Sequence, residues 1–163
     1  MDTHSLLDIT PFDWPSIFTA LLCGSIIGLE RQIRGKPAGI RTSSLIILGT
    51  YVFIACSIYV TQDANMTDPS RIIGQVITGI GFLGAGVMLS KGRSVYGVTS
   101  AATIWALAAV GVCIGIGQLG SAFKLSFVVV VILFGVDCFE EYSQHLGKRV
   151  HKRFTHWRSR DNE

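Results

Sequence analysis

Charged residues are scarce in this chain of 163 residues, where Asp, Glu, Lys and Arg together make up 15% of the sequence. A typical soluble domain carries about 25%. The deficit is also uneven, because three long segments, residues 43–61, 72–90 and 94–123, contain no charged side chain. Protein surfaces of that extent need charge in water, so the composition argues against a water-soluble globular domain. The alternative is that the uncharged segments are long helices buried in a protein core.

Paired cysteines and metal-ligand spacings are lacking as well. No CxxC pair occurs, and every cysteine falls inside or at the end of an apolar segment: Cys23, Cys56, Cys113 and Cys138. They are typical of small apolar helix residues rather than disulfides or zinc ligands. No nucleophile has a base nearby, and no phosphate-binding loop has the right context. We therefore expect no catalytic, cofactor-binding or metal-binding residues, and a protein that is not an enzyme.

The long uncharged segments predict membrane-spanning helices, because about 20 apolar residues at 1.5 Å each cross the hydrocarbon of a bilayer. We predict five: Pro15–Leu29, Ser43–Val60, Ile72–Leu89, Thr99–Ile116 and Leu119–Cys138. The glycines between the last two segments also allow another arrangement, in which these two segments form one bent hairpin whose tip lies at a shallow depth in the membrane. The expected fold is all-α, a polytopic transmembrane bundle over residues 1–138, followed by a basic amphipathic tail, residues 139–163.

Lys and Arg concentrate on alternate hydrophilic segments, which predicts the orientation in the membrane. The N-terminal segment, the loop before Ile72 and the turn near Gly120 hold two, Arg71 and Lys124. The other set holds twelve: Arg31, Arg34, Lys36, Arg41, Lys91, Arg93, Lys148, Arg149, Lys152, Arg153, Arg158 and Arg160. We predict the N-terminus outside and the C-terminus in the cytoplasm. The first 14 residues carry no Lys or Arg, so we do not expect them to form a cleavable signal peptide.

A glycine motif, Gly79-x-Gly81-x-x-Gly84, has the spacing of a dinucleotide-binding loop. Nothing before it is typical of a strand, and no acidic residue follows about 20 positions later, as that loop requires. Small residues instead predict close helix packing in lipid. Two such faces occur, one formed by Gly74, Thr78, Gly81 and Ala85, the other by Ser16, Ala20, Gly24 and Gly28. They predict a tight bundle or a dimer.

Ionisable groups at membrane depth are costly and are therefore candidates for function. The candidate polar cluster comprises Glu30, Arg31, Arg41, Asp68, Arg71, Gln75 and Thr78. Further polar candidates at the start of the fourth predicted helix are Thr99, Ser100 and Thr103. Asp68 followed by Pro69 is also explained by an ordinary helix start. The ridge of Arg71, Gln75 and Thr78 has no such explanation, and we expect it to face protein or water.

Two further segments each allow two interpretations. In the loop of residues 30–42, the basic residues act as a topology signal that binds anionic headgroups, or the glycines and Pro37 form a turn that holds Glu30 near Arg41. The tail has an aromatic stripe opposite a basic face, which favours a helix lying on the cytoplasmic membrane surface over nucleic-acid binding. Its histidines do not share one face at ligand spacing.

Three stretches, "GLERQIRGKPAGIRT", "DPSRIIGQVITGIGFLGAG" and "GVTSAATIWALAAVGV", together resemble the MgtC/SapB family of bacterial inner-membrane proteins. The resemblance covers roughly Leu21–Gly117 and implies a multi-pass plasma-membrane protein. By motif position, Glu30, Arg31, Arg41, Asp68, Arg71 and Gln75 match the polar signature of that family. Longer members add a cytoplasmic domain, so this chain resembles a short form.

The resemblance implies a function linked to magnesium, because some members are associated with growth or virulence in low magnesium. We expect a non-enzymatic regulator of magnesium or cation homeostasis. The alternative is a transporter or channel for Mg²⁺ or another cation. Expected partners are the lipid bilayer, a second copy, or another membrane complex such as the F-type ATP synthase, on which some members are proposed to act. We expect no nucleic acid and no cofactor.

Overall fold

The structure is a computed structural model that describes residues 8–61, 68–91 and 94–135. Its helices are α1 (Trp14–Ile33), α2 (Ile40–Thr61), α3 (Pro69–Gly86), α4 (Val98–Gly115) and α5 (Leu119–Gly135). The expected all-α bundle is confirmed. The chain divides into two compact units after Val130. The second contains the last described turn of α5, and all contacts described below lie within the first.

One element departs from the expected all-helical architecture. Strands β1 (Leu89–Lys91) and β2 (Ser94–Tyr96) form an antiparallel ribbon where the sequence predicted the end of the third helix, at Leu89, and a loop after it. The third helix ends earlier, at Gly86. Gly97 follows the ribbon with a φ of +88° and begins α4. Its lack of a Cβ lets the carbonyl oxygen of Val87 lie directly against it. The ribbon therefore ends at a backbone contact that only glycine accommodates without strain.

The helix starts have local causes in the sequence. Asp13 caps α1, since its carboxylate accepts a 2.9 Å hydrogen bond from the backbone N–H of Ser16. Asp68 caps α3 in the same way through Ser70. A proline stands in the first turn of both helices, where its missing N–H is not needed.

The first two helices are longer than hydrophobicity alone predicts. Helix α1 continues past Leu29 to Ile33, so Glu30 and Arg31 lie within its last turns rather than at its end. Helix α2 begins three residues before the predicted Ser43, which places Arg41 in its first turn. The backbone hydrogen bonds of α1 continue through Glu30 and Arg31, whose side chains are buried.

Glycines determine how closely the helices pack on α2. A Cβ at Gly24 would lie 2.5 Å from the Ser44 Cα, and one at Gly28 would lie 2.5 Å from the Ile40 Cα. Gly111 and Gly115 of α4 lie similarly close to Thr50 and Ile54 of α2. Backbones in such contact give the dense van der Waals packing that holds helices together in lipid.

The contacts also define two ends of the bundle. At the polar end, the end of α1 meets the start of α2 at Gly28, and the end of α3 meets the start of α4 where Gly84 contacts Ala101. At the opposite end, the start of α1 meets α2 through Asp13 and Tyr51, whose hydroxyl donates to the carboxylate at 3.1 Å. Successive helices from α1 to α4 therefore run in alternating directions.

Three of the described helices, α1, α2 and α4, are long and apolar enough to cross a membrane. Helix α3 is not among them, because Arg71, Gln75 and five glycines lower its mean hydropathy, and the described part of α5 is 17 residues long. The five-span count and the predicted sidedness stay predictions. The tail, residues 139–163, lies outside the described residues.

Replacing Gly24 by Ala tests the close packing of α1 on α2. The added methyl group meets the Ser44 backbone, so we expect the free energy of unfolding in mixed micelles to fall by about 1–3 kcal/mol. Gly74→Ala is the matched control, because a Cβ at Gly74 meets no described atom within 4 Å, and we expect no loss. Equal stability of the two variants would contradict the packing.

Candidate functional site

A group of charged side chains is buried at the polar end of the bundle. Glu30 and Arg31 are each 2% exposed, although side chains of these types are almost never buried unless paired. The Arg34 Nε lies 2.8 Å from the Glu30 Oε1, and the Arg31 Nη1 lies 3.8 Å from the Oε2. With Ser100, these residues form what we call the buried charge cluster.

Ser100 connects the buried charge cluster to the first turn of α4. The Arg31 Nη2 donates a 2.8 Å hydrogen bond to the Ser100 Oγ, across 69 positions of sequence. This bond ties the end of α1 to the start of α4 inside the protein. Hydrogen bonds to charged groups contribute about 1.5–3 kcal/mol each, so it is a strong constraint on how α1 and α4 pack.

The buried charge cluster is incompletely satisfied. Within the described residues, both Glu30 carboxylate oxygens and the Arg31 Nε are buried without a well-aligned hydrogen bond. The Arg34 contact is close enough for an ion pair but is not aligned as a hydrogen bond. One carboxylate faces two guanidinium groups, a formal excess of one positive charge. That balance opposes a cation ligand at Glu30.

The basic partner of Glu30 is Arg34, four residues along α1, rather than Arg41. Among the described residues no ion pair joins Glu30 to Arg41, so the alternative in which the loop holds them together is not the observed arrangement. Arg41 is exposed and lines a groove between α2 and α3 together with Gln75. The sequence signal for Arg34 was its i,i+4 spacing from Glu30, a common ion-pair spacing.

Asp68 and Arg71 lie far from the buried charge cluster. They begin α3, whose other end contacts α4 at the polar end, and at 1.5 Å per residue Arg71 is about 20 Å along the axis from Gly84. Bonds from the Ser70 side chain and backbone, aided by the Arg71 charge, hold the pKa of Asp68 below its usual 3.8. An ordinary helix cap thus accounts for Asp68.

The remaining candidates lie on the exposed surface of α3. Arg71, Gln75 and Thr78 are all exposed, and the Thr78 hydroxyl donates to the Gly74 carbonyl at 2.9 Å. In the described part of the chain no atom lies within 4 Å of a Cβ placed at Gly74 or Gly81, and Ala85 is also exposed. The small-residue face of α3 is therefore open, whereas Gly24 and Gly28 are packed.

One feature of the structure was absent from the predicted site. Gly111 and Gly115 form a GxxxG pair that packs α4 on α2, and the spacing alone predicts such packing. Ser100 was a polar candidate at the start of the fourth predicted helix, but its bond to Arg31 could not be predicted from the sequence. In the ranges that the structure describes, no group of three or more His, Cys, Asp or Glu side chains could hold a metal ion.

An α-helical bundle with three helices able to cross a bilayer and a buried charge cluster at one end defines a membrane protein of the helical class. The family model described as "MgtC family" matches residues 17–142. The chain belongs to the MgtC family, and the resemblance stated from its motifs is confirmed.

Three relatives illustrate the similarity. "Protein MgtC" of Salmonella typhimurium strain LT2 is 41% identical over 115 residues, 71% of this chain and 48% of the relative. "Putative magnesium transporter YhiD" of Escherichia coli K12 is 43% identical over 145 residues, 85% of this chain and 66% of the relative. "Protein MgtC" of Brucella abortus is 40% identical over 113 residues, 69% of this chain and 46% of the relative.

The chain spans about half the length of the MgtC relatives that it matches, and 66% of the length of YhiD. None of the three names is that of an enzyme. No solved structure matches the chain.

Removing Glu30 tests whether the buried charge cluster is a unit. Glu30→Ala leaves Arg31 buried without a counter-charge, so we expect a loss of roughly 3–5 kcal/mol in the free energy of unfolding. Ser100→Ala removes one acceptor and should cost about 1–3 kcal/mol. Lys36→Ala, an exposed charge in the adjacent loop, is the control and should stay within about 0.5 kcal/mol. A Glu30→Ala loss no larger than the Lys36→Ala loss would disprove the interpretation.

Proposed function

We propose that the chain is a multi-pass protein of the bacterial inner membrane that regulates magnesium or cation homeostasis by binding another membrane component, without catalysing a reaction. The family, the magnesium role in the YhiD name and the three helices able to cross a membrane support this proposal. The proposed sidedness, with the polar end in the cytoplasm, follows from the distribution of Lys and Arg.

One observation favours binding over conduction. Among the described residues, Glu30 and Arg31 are the buried charged side chains, and the other buried residues of α1 are uncharged: Ser16, Ala20, Cys23, Gly24, Ile27 and Gly28. Hydroxyl groups such as those of Thr50 and Thr103 are also buried, but Glu30 is the buried acid among these residues, and it is already paired with Arg34. Cation pathways through a membrane are marked by charged side chains that face the path. The charged groups gather instead at the ends, whereas α3 presents polar and small residues outward, where a partner can contact them.

The partner surface that we propose is the exposed face of α3, comprising Arg71, Gln75 and Thr78 with the glycines beside them. Polar side chains and small residues are the groups by which helices associate in lipid. The partner is a second copy or a larger complex such as an F-type ATP synthase, as the family resemblance implies. Affinity purification in mild detergent that yields only a monomer would count against this surface.

Arg71→Ala and Gln75→Leu test the regulatory proposal. Each removes a polar group from the exposed face of α3 without touching the buried charge cluster, so both proteins should insert at wild-type levels. In a deletion strain grown in low magnesium, we expect each variant to lose most of the growth that the wild-type gene restores. Full rescue by both variants, at equal protein levels on immunoblots, would show that the ridge serves structure alone.

The second candidate is a cation transporter, which the YhiD name and the groove between α2 and α3 favour. The positive charge of Arg41 in that groove opposes cation entry. Magnesium flux into proteoliposomes tests this candidate. The regulatory proposal predicts uptake no faster than in empty vesicles, for the wild type and for Glu30→Ala alike. Saturable uptake by the wild type would favour the transporter instead.

A further inference from the structure

An open groove of about 660 Å³ runs between α2 and α3. Its walls are two helix stripes, residues 41–53 of α2 and residues 72–83 of α3. Gly49 and Gly79 are lining residues, and a Cβ at either position would meet no described atom within 4 Å. The groove therefore has room at the two positions where a side chain is missing.

The dimensions of the groove match one layer of lipid. The α2 stripe spans twelve residue steps, which is about 18 Å at the helical rise. Half of the hydrocarbon core of a bilayer is about 15 Å thick. An open groove of that length has room for one extended acyl chain lying along it.

The charge in the groove lies at one end only. Arg41 stands in the first turn of α2, at the polar end, and is exposed. Glu30, the nearest acid along the chain, is already paired with Arg34. Most of the remaining lining is apolar, including Leu45, Phe53 and Ile80. A cation at the mouth of an apolar groove complements an amphiphile with an anionic head.

We propose that the groove binds one acyl chain of an anionic phospholipid, whose phosphate contacts Arg41. With the polar end in the cytoplasm, the lipid comes from the cytoplasmic leaflet, where anionic lipids are the ligands of basic pockets between helices. Gln75 lies at the rim, since at 100° per residue it is turned toward the side of α3 that carries Arg71. An acyl chain has no group that can form a hydrogen bond with the Gln75 amide, so Gln75 does not contribute to holding the chain.

Native mass spectrometry of the full chain in mild detergent tests the site, with phosphatidylglycerol and phosphatidylcholine of equal chain length as probes. We expect one phosphatidylglycerol to bind per chain at about tenfold lower concentration than phosphatidylcholine. Arg41→Gln should remove this preference, because a contact between a cation and a phosphate of about 1.4 kcal/mol corresponds to a factor of ten. Equal binding of the two lipids to the wild type would overturn the proposal.

A pair of glycine variants shows whether the lipid lies in the groove. Gly79→Leu fills it and should abolish binding, whereas Gly81→Leu places the same side chain on the opposite face of α3 and should keep binding. Circular dichroism confirms that both variants are folded. Gln75→Leu should also keep the lipid. Loss of lipid in Gly81→Leu but not in Gly79→Leu would place the lipid elsewhere, and a wild-type dimer that Gly79→Leu disrupts would identify a second copy as the occupant.

Discussion

The burial of Glu30 and Arg31 is the constraint on which the polar end depends. Charges removed from water cost several kcal/mol each unless partners compensate them. Compensation here comes from Arg34, the residue directly after α1, and from Ser100, in the first turn of α4. Helix α1 must therefore extend beyond its apolar segment, and α4 must begin beside it. A local hydrogen bond stabilises the turn after α1, because the Ser43 hydroxyl, in the first turn of α2, donates to the Ala38 carbonyl.

Close backbone contacts provide the second requirement, and α2 is their common element. Gly24 and Gly28 let α1 approach α2 closely, and Gly111 and Gly115 do the same for α4. Lipid offers no hydrophobic drive for helices to associate, so such contacts supply much of the packing energy. The same density leaves little room for adjustment, and a single methyl group at these positions requires a backbone to move. The charges thus set which ends meet, and the glycines set how closely.

Sequence alone predicted most of the helices, because long uncharged apolar segments have few alternatives to a membrane helix. It placed the helix ends less well, since hydrophobicity does not record that Glu30 and Arg31 are enclosed by protein. The pairing of Glu30 with Arg34 could be predicted, because the two residues have the i,i+4 spacing that is common for ion pairs. The bond from Arg31 to Ser100 could not be predicted, because it joins residues 69 positions apart and depends on how α1 and α4 pack. The β1–β2 ribbon was missed because two strands of three residues give no clear alternation.

Helix α3 differs from its neighbours in ways that these constraints explain. It has no part in the buried charge cluster, and, counting contacts with described residues, Gly84 is the one of its five glycines that meets another helix within 4 Å, at Ala101. Each glycine lowers helix stability by about 1 kcal/mol relative to alanine. Five glycines therefore stabilise α3 only if other groups pack closely against them. One face of α3 borders the groove with α2, and the opposite face is open. A helix with two such faces is suited to contacts outside its own chain, with lipid on one side and a protein partner on the other.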